Sequence, residues 1–254
     1  MSTDPTEVPT PALVTGGAAG IGAAAAMKLA AAGHPVTVAT LRAGEGGEEI
    51  VDQITAAGGV ARLAFGDLAD EEAVAAIHST ASEAFGAPGI LVHAAGGFTR
   101  SAGLVDTPSD EWDRVIAVNL RSTYLCMHAA LPAMIEGGWG RVVTVASEAG
   151  RVPLRIGSPA YAAAKAAVIG LTKHVAREVA GTGVTVNATA PSTTLSPRVR
   201  DIYQGREDEV AALHPMGRLS TPEEQAAVIA FLCTEGASYV NGSCVDVTGG
   251  SVTL

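Results

Sequence analysis

Short apolar, β-rich runs alternate with longer runs of helical period along most of the chain. The first short run, residues 12–15, is separated from the first helical run by a stretch rich in glycine. The predicted strands are 12–15, 36–39, 60–65, 90–93, 141–146, 184–188 and 244–247. The predicted helices are 23–32, 45–57, 70–85, 110–135, 159–180 and 222–233.

This alternation predicts a doubly wound α/β fold with about seven strands. Repeated strand-helix-strand units imply right-handed crossovers, and strands that are apolar throughout are typical of a mainly parallel sheet with helices on both faces. No linker or change in composition divides the chain, so one domain is expected over residues 12–254.

One long segment, residues 192–220, departs from the alternation. It contains Pro197, Pro215 and a charged middle, and long irregular insertions in compact domains often serve as binding loops. We therefore predict that residues 192–220 form a substrate lid. A solvated surface excursion is the alternative that the pattern leaves open.

Composition and charge narrow the class of protein. Of the 254 residues, 48% are hydrophobic and 17% are charged, which excludes a mostly disordered chain. The formal net charge of −10 opposes nucleic acid or an anionic membrane as a main partner, because both bind basic surfaces. Residues 1–11 hold three prolines and few apolar residues, so we expect a flexible tail rather than a signal peptide. No later run is long enough to span a membrane.

The three cysteines, Cys126, Cys233 and Cys244, predict neither a disulfide framework nor a metal site. They have no Cys-x-x-Cys or Cys/His ligand spacing, and an odd count without a secretory leader is typical of a reducing compartment. We interpret them as small hydrophobic residues and expect a cytoplasmic location.

The first strand and the first helix are joined by the turn 15–22, whose sequence is TGGAAGIG. Glycine at this place lets the backbone turn tightly and approach a pyrophosphate, whose charge is held by amides at the helix N-terminus. The turn therefore predicts a dinucleotide site, and a simple tight turn is the alternative.

A second chemical pattern is the pair Tyr161 and Lys165, four residues apart in an alanine-rich run without a helix breaker. On a helix the two side chains would share a face, about one turn apart. A fixed cation lowers the pKa of a phenol from its usual value near ~10, which suits the phenol to proton transfer. Such a pair also occurs by chance on solvated helices, so its meaning depends on the rest of the chain.

The order of these motifs resembles that of the short-chain dehydrogenase/reductase family. Its members are one-domain Rossmann proteins with a T-G-x-x-x-G-x-G turn, a later N-N-A-G, a serine and Y-x-x-x-K. The resemblance spans residues 15–250. The matching positions are Thr15, Gly16, Gly20 and Gly22, then His93-Ala94-Ala95-Gly96 where the family has N-N-A-G, and Asn119, Ser147, Tyr161 and Lys165.

The resemblance implies a role for each of four side chains. Tyr161 would pass a proton to or from the substrate oxygen during hydride transfer, and Lys165 would lower the pKa of Tyr161 and hold the ribose. Ser147 would donate a hydrogen bond to the carbonyl or alkoxide oxygen. Asn119 would support a water path to the lysine, and a local helix irregularity without function is its alternative.

Three departures from the family pattern are visible. His93 and Ala94 replace two asparagines, and we interpret His93 as a packed, hydrogen-bonded imidazole rather than a chemical group. Ser192 replaces a glycine after the sixth strand, so the resemblance does not define the path of that loop. One extra residue separates Ser147 from Tyr161, which the intervening loop can absorb.

The resemblance also implies a set of cofactor-binding positions. NADP(H) is favoured over NAD(H), because Thr40 stands where an acid would hold the ribose 2′-hydroxyl of NAD and Arg42 follows it. A solvated loop charge is the alternative for Arg42, and helix capping is the alternative for Asp67, which would bind adenine. The full set is Thr15, Gly16, Gly20, Ile21, Gly22, Thr40, Arg42, Asp67, Leu68, Ala95, Gly96, Tyr161, Lys165 and Pro191.

Substrate contacts are expected from residues 97–108, 148–158 and 192–220. Arg155, Arg198 and Arg200 could bind an anionic group, although the acidic residues 207–209 make a neutralised surface patch the preferred interpretation. An apolar or mixed carbonyl compound is favoured by the apolar members of these segments, which are Phe98, Leu104, Val152, Leu154, Ile156, Leu195, Tyr203 and Leu213.

The leading prediction for function is an NADP-dependent ketone or 3-oxoacyl reductase that acts on a small-molecule substrate. An NAD-dependent alcohol or diol dehydrogenase of the same family is the alternative. A non-catalytic nucleotide-binding protein is more remote, because Asn119, Ser147, Tyr161 and Lys165 are all retained. By resemblance we expect a homotetramer or homodimer that pairs the helices 110–135 and 159–180.

Overall fold

The fold is built around one parallel sheet. The structure is a computed structural model that describes residues 9–98, 101–154 and 157–252, without the side chains of Arg198 and Ile202. Its strands are β1 (Ala12–Thr15), β2 (Val36–Thr40), β3 (Ala61–Phe65), β4 (Ile90–His93), β5 (Gly140–Val145), β6 (Val184–Pro191) and β7 (Cys244–Val247). Their order in the sheet is β3-β2-β1-β4-β5-β6-β7, and every neighbouring pair is parallel. The predicted fold class is confirmed.

Helices connect the strands and cover the sheet. They are α1 (Gly20–Ala31), α2 (Gly47–Ala56), α3 (Glu71–Phe85), α4 (Ser109–Ile116), α5 (Ser122–Glu136), α6 (Pro159–Glu178), α7 (Pro197–Tyr203), α8 (Glu207–Ala211) and α9 (Pro222–Leu232). A π-helical turn, Ala117–Arg121, joins α4 to α5, and short 3₁₀ turns occupy Leu104–Asp106, Glu148–Gly150 and Glu235–Ala237. None of the described helices is long and apolar enough to cross a membrane.

Two apolar cores lie on opposite faces of the sheet. Adjacent residues of β1 divide between them, because successive side chains of a strand point to opposite faces. Val14 joins the core under α1, α2 and α9, and Leu13 joins the core under α3, α5 and α6. This arrangement explains why the strands read as apolar throughout, and it leaves the ends of the strands as the place for a site.

The predicted helix 110–135 is wrong in one respect, because the π-helical turn interrupts it. Side chains here bond to main-chain carbonyls one turn earlier: Asn119 Nδ2 donates to Val115 O at 2.8 Å and Ser122 Oγ donates to Val118 O at 2.8 Å. Thr123 Oγ1 donates to Asn119 O at 2.6 Å. Polar side chains that engage the i−4 carbonyl distort a helix, and π turns are frequent at functional sites.

Two predicted ends of helices or strands differ from the observed ends by three residues, and the other predicted ends agree with the observed ones within two residues. The helix predicted from residue 23 begins at Gly20, where its backbone amides face the glycine turn. The strand predicted to end at residue 188 continues to Pro191, because that stretch pairs with β7 from Ala188 opposite Cys244 to Pro191 opposite Val247. A pairing partner that is remote in sequence decides the second difference, and local propensity does not reveal it.

Residues 192–220, predicted as an irregular segment, contain the two short helices α7 and α8. The two ends of this segment are joined by a β-bridge between Thr194 and Ser220. Leu195 N donates to Ser220 O at 2.8 Å, and the hydroxyl oxygens of Thr194 and Ser220 lie 2.9 Å apart.

Ser192, which replaces a glycine of the family pattern, does not have the positive φ that favours glycine. In the described part of the chain, Gln204 is the only non-glycine residue with positive φ.

Candidate active site

One cleft of about 1180 Å³ opens at the carboxyl edge of the sheet. Ligands of doubly wound proteins bind at this edge. Thr15 and Asn119 are fully buried beside the cleft, and the Arg42 side chain is 76% exposed. The other predicted site residues line the cleft, namely Gly16, Gly20, Ile21, Gly22, Thr40, Asp67, Leu68, Ala95, Gly96, Ser147, Tyr161, Lys165 and Pro191.

The glycine turn is packed closely at Gly16 and Gly22, where a Cβ would overlap backbone atoms. Gly16 has φ +66°, and a Cβ there would lie 2.7 Å from Ala95 N at the end of β4. The N-terminus of α1 has no side-chain cap at Ala19 and no acidic residue in its first turn. Its free amides are therefore available to an anion, and the turn fits the pyrophosphate of a dinucleotide.

The end of β2 carries the residues predicted to distinguish NADP from NAD. Thr40 lines the cleft, and its hydroxyl donates to Arg42 O at 3.3 Å. The Arg42 guanidinium pairs with Glu45 across 2.9 Å, and Glu45 itself lines the cleft. The sequence prediction did not include Glu45, although its spacing of three residues from Arg42 is a signal of pairing.

Asp67 lies at the end of β3 and lines the cleft, as predicted for a residue near adenine. Its Oδ1 accepts from Ala69 N at 2.9 Å and so holds the local turn. The cap of α3 is instead Asp70, whose Oδ1 accepts from Glu72 N at 3.1 Å. The alternative interpretation of Asp67 as the cap of α3 is therefore wrong, because Asp70 caps that helix.

Tyr161 and Lys165 stand one turn apart at the start of α6, as their spacing predicts. Lys165 is only 4% exposed, and its Nζ donates to Val145 O at 2.7 Å. The same ammonium lies 5.6 Å from the centre of the Tyr161 ring. The Phe98 ring packs on Tyr161 with centroids 4.9 Å apart, so both a cation and an aromatic ring lie next to the phenol ring.

Ser147 follows β5 and faces the same cleft. Its Oγ accepts from Ala149 N at 3.1 Å, which caps the short turn Glu148–Gly150. Gly150 presses this turn against α6, since a Cβ there would lie 2.7 Å from Ala166 N. The backbone therefore brings Ser147 beside the helix that carries Tyr161 and Lys165. Arg155 and Ile156, also predicted in the following loop, lie outside the described residues.

The Asn119 side chain joins the π-helical turn to the loop after β4. Its Oδ1 accepts from Gly97 N and its Nδ2 donates to Gly97 O, both at 2.8 Å. A Cβ on Gly96 would lie 2.5 Å from Asn119 Oδ1 and 3.4 Å from Lys165 Nζ. Asn119 thus lies close to the lysine and holds the loop that forms one wall of the cleft.

His93 is a packed, hydrogen-bonded imidazole, which confirms its interpretation. Nδ1 lies 2.9 Å from Thr15 Oγ1 and Nε2 lies 3.2 Å from Ser122 Oγ. Since Ser122 gives its one proton to Val118 O, the ring donates from Nε2 and accepts from Thr15 at Nδ1. Burial, helped by the charge of Lys165, lowers the pKa of His93 to about 3. The ring is neutral and bridges β1, β4 and the start of α5.

Glu148 was predicted only as part of a substrate loop. Its carboxylate lines the cleft but is 5% exposed, and Oε2 accepts from Ser251 Oγ at 2.6 Å. Burial raises the pKa of Glu148, and the hydrogen bond from Ser251 opposes that rise. The partner lies about a hundred residues away in sequence, so no local signal could have identified it.

The predicted substrate residues are only partly brought together. Phe98, Leu154 and Tyr203 line the cleft, whereas Leu104 and Leu213 are 67% and 66% exposed. Among the basic residues, Arg200 is exposed, and Arg206, which lines the cleft, pairs with Glu209 at 2.8 Å. The side chain of Arg198 lies outside the described set.

Comparisons with known proteins agree with this geometry. A family model described as enoyl-(acyl carrier protein) reductase matches residues 16–252. The 2-dehydro-3-deoxy-L-rhamnonate dehydrogenase (NAD(+)) of Sphingomonas sp. (strain SKA58) is 37% identical over 246 residues, covering 96% of this chain and 95% of that protein. The 3-oxoacyl-[acyl-carrier-protein] reductase of Pseudomonas aeruginosa is 37% identical over 239 residues, with coverages of 94% and 96%. A crystal structure of a 3-oxoacyl-[acyl-carrier protein] reductase with bound NAD from Brucella melitensis has a TM-score of 0.88 at 32% identity, with coverages of 98% and 94%.

These matches define the class as nicotinamide-dependent oxidoreductases that act on alcohols and ketones. Within that class the chain belongs to the short-chain dehydrogenase/reductase family and is similar to its 3-oxoacyl reductases. The resemblance predicted from the motif order is confirmed. Relatives include proteins named for both reductase and dehydrogenase activities, and one is named for NAD(+).

Proposed function

We propose that the protein is a carbonyl reductase of this family, with an NADP-dependent ketone or 3-oxoacyl reductase as the leading assignment. The observation that carries the proposal is that Ser147, Tyr161 and Lys165 line one cleft together with the uncapped glycine turn. The cofactor, when bound, supplies or accepts the hydride at its nicotinamide ring. The chain's own side chains bind and orient the substrate and move the proton.

Tyr161 is the proposed proton donor to the substrate oxygen. The Lys165 ammonium is fixed by Val145 O at 2.7 Å, so its charge stays beside the phenol and favours the phenolate. Phe98 limits movement of the Tyr161 ring by packing against it in a tilted arrangement. The Ser147 hydroxyl accepts from Ala149 N, so its own proton points away from that amide and can be donated to a carbonyl oxygen.

Asn119 has a proposed supporting role. Its three amide hydrogen bonds tie the loop after β4, at Gly97, to the π-helical turn, and the neighbouring Gly96 lies close to Lys165. A water path from that loop to the lysine would return a proton to Tyr161 after each turnover. The distorted helix around Asn119 is therefore part of the proposed site rather than an irregularity without function.

NADP(H) remains the favoured cofactor, and NAD(H) is the second candidate. The absence of an acid at Thr40 and the guanidinium of Arg42 support a 2′-phosphate. Glu45 is the observation that supports NAD(H), because its carboxylate lines the cleft and neutralises Arg42. The relative named for NAD(+) and the relative crystallised with NAD also support the second candidate.

For the substrate we propose an apolar or mixed carbonyl compound, because Phe98 and Leu154 line the cleft near the predicted reaction centre. Residues 192–220 are the proposed lid, and Ser196 in it approaches Gly20 closely enough that a glycine Cβ would lie 3.5 Å from Ser196 Cβ. An NAD-dependent alcohol or diol dehydrogenase is the second candidate function. A non-catalytic nucleotide-binding protein is the remote one.

A substrate panel tests these assignments. Ketones, a 3-oxoacyl thioester, secondary alcohols and diols are each assayed with NADPH, NADH and their oxidised forms by the absorbance of the reduced nucleotide. Reduction of the thioester or a ketone with NADPH supports the leading assignment, and oxidation of alcohols with NAD as the preferred reaction supports the second. Nucleotide binding without turnover on any compound would support the remote candidate.

A homotetramer or homodimer, a cytoplasmic location and a single domain over residues 12–254 stay predictions. The helices expected to pair between subunits are α4 with α5, and α6. Light scattering of the purified protein measures the oligomeric state directly.

A further inference from the structure

Glu148 is a buried carboxylate to which the proposed reaction assigns no part. It follows Ser147 directly and opens the 3₁₀ turn Glu148–Gly150. A carboxylate that is 5% exposed must be compensated by nearby donors or charges. The groups that compensate it therefore indicate which parts of the molecule it holds.

The first partner is the C-terminal turn, residues 248–252. Ser251 Oγ donates to Glu148 Oε2 at 2.6 Å, and the turn is closed by a bond from Ser251 N to Thr248 O at 3.2 Å. A second link lies one turn further on, where Arg151 pairs with Asp246 of β7 at 2.8 Å and 2.9 Å. The backbone that begins at Ser147 is thus tied twice to the last strand and to the turn that follows it.

The lid packs against the same C-terminal turn. Burial raises the pKa of Glu148, and Ser251, His214 and the Thr193 backbone, the last two in the lid, oppose that rise. A Cβ on Gly249 would lie 3.2 Å from Met216 Sδ, and one on Gly250 would lie 3.6 Å from Pro215 Cβ. The C-terminal turn therefore contacts both the lid and, through Ser251, the carboxylate of Glu148 in the turn after Ser147.

We infer that Glu148 is a positioning residue: its carboxylate fastens the turn that begins at Ser147 to the C-terminal turn against which the lid packs, so that lid closure and the placement of the Ser147 hydroxyl are coupled. This inference rests on the proposed function of Ser147. Glu148 does not touch the reacting atoms in this account. Its carboxylate acts by keeping the lid in the position that completes the substrate wall of the cleft.

The test uses the full chain and the variants Glu148→Gln, Ser251→Ala and the double variant. Hydrogen exchange of lid amides 193–214 is measured first, since this readout needs no turnover. Each single variant should speed that exchange about fivefold, because Ser251→Ala removes the hydrogen bond to the buried carboxyl group and Glu148→Gln replaces its acceptor by a weaker amide oxygen. In assays with the best carbonyl substrate of the panel, KM should rise about tenfold because the lid is displaced, and kcat should fall because the Ser147 hydroxyl loses its placement, while nucleotide affinity changes little.

Coupling and rescue separate this role from general loss of stability. The double variant should show no greater effect than the larger single one, because both changes act on the same contact. Ser251→Thr retains the hydroxyl and should behave as the wild type. Glu136→Gln, at an exposed carboxylate at the end of α5, is the matched control and should change neither readout.

The inference is overturned if lid exchange is unchanged in Ser251→Ala, or if the effects of the two single variants add. Ser251→Ala decides the matter even where Glu148→Gln does not fold. A wild type without turnover on any carbonyl compound would contradict the proposed function, and the exchange measurement would still decide whether Glu148 holds the lid.

Discussion

The two halves of the cleft are built by different means. On the nucleotide side, Gly16 meets Ala95 through backbone alone, and the amides at the start of α1 supply the binding groups. On the substrate side, the wall is held by side-chain contacts between remote segments, such as Glu148 with Ser251 and Arg151 with Asp246. A backbone site tolerates few substitutions, whereas a side-chain wall can change with the substrate.

The largest expected effect lies where the two halves meet, at Tyr161. Tyr161→Phe removes the proton donor but keeps the ring that packs on Phe98, so kcat should fall about 10²- to 10⁴-fold. Nucleotide affinity, measured by fluorescence titration, should stay near the wild-type value. Tyr239→Phe, at a fully exposed phenol, is the control and should keep full activity. A Tyr161→Phe variant with wild-type activity would contradict the proposed mechanism.

A second experiment tests whether the nucleotide side depends on backbone approach. Gly16→Ala places a Cβ against Ala95 N, and Gly58→Ala places one in open space at a similarly positive φ of 85°. Both variants carry the strain of a left-handed residue, about 1 kcal/mol, so Gly58→Ala controls for that strain at a position outside the cleft. Nucleotide affinity should fall at least ~10-fold in Gly16→Ala and should be unchanged in Gly58→Ala. Equal nucleotide affinities in the two variants would mean that the glycine turn is a simple tight turn without a role in dinucleotide binding.

The third experiment concerns β4, which separates the two halves. His93 has its pKa lowered to about 3 by burial, so below pH ~6.5 the unfolded chain takes up a proton that the folded chain does not. The free energy of unfolding should therefore fall as the pH falls from about 6.5 towards 3, by up to roughly 1.4 kcal/mol per pH unit. Above pH ~6.5 this contribution is constant.

His93→Asn introduces the residue that the family carries and removes this titration. Denaturant unfolding of both proteins between pH 4 and 8 measures the effect, and the difference in unfolding free energy should change with pH only on the acid side. Parallel curves over the whole range would contradict a buried neutral imidazole.

The contrast between a nucleotide side built from local backbone and a substrate wall built from remote side-chain contacts explains what the sequence could predict. The sheet, the helices and the glycine turn follow from apolar periodicity and from glycine spacing, which are local properties of the chain. The Tyr161–Lys165 pair follows from helical spacing and gained its meaning from the order of the surrounding motifs. Glu148 could not be found in this way, because its partner Ser251 is set by the fold. The π-helical turn at Asn119 was considered only as a local irregularity within one continuous helix, since its geometry depends on competition between side chains and main-chain carbonyls.

The smallest expected effect is the choice between nucleotides, because it depends on an exposed ion pair at the rim of the cleft. Arg42→Ala removes the cation and should shift the ratio of kcat/KM for NADPH over NADH towards NADH, by about two- to fivefold. Glu45→Gln removes the carboxylate that lines the cleft and should shift the ratio by a similar amount towards NADPH. Lys28→Ala, at an exposed cation in the last turn of α1, is the control for a general change in charge. A wild type that prefers NADH, with a ratio that Arg42→Ala leaves unchanged, would refute the 2′-phosphate assignment and favour a dehydrogenase that uses NAD.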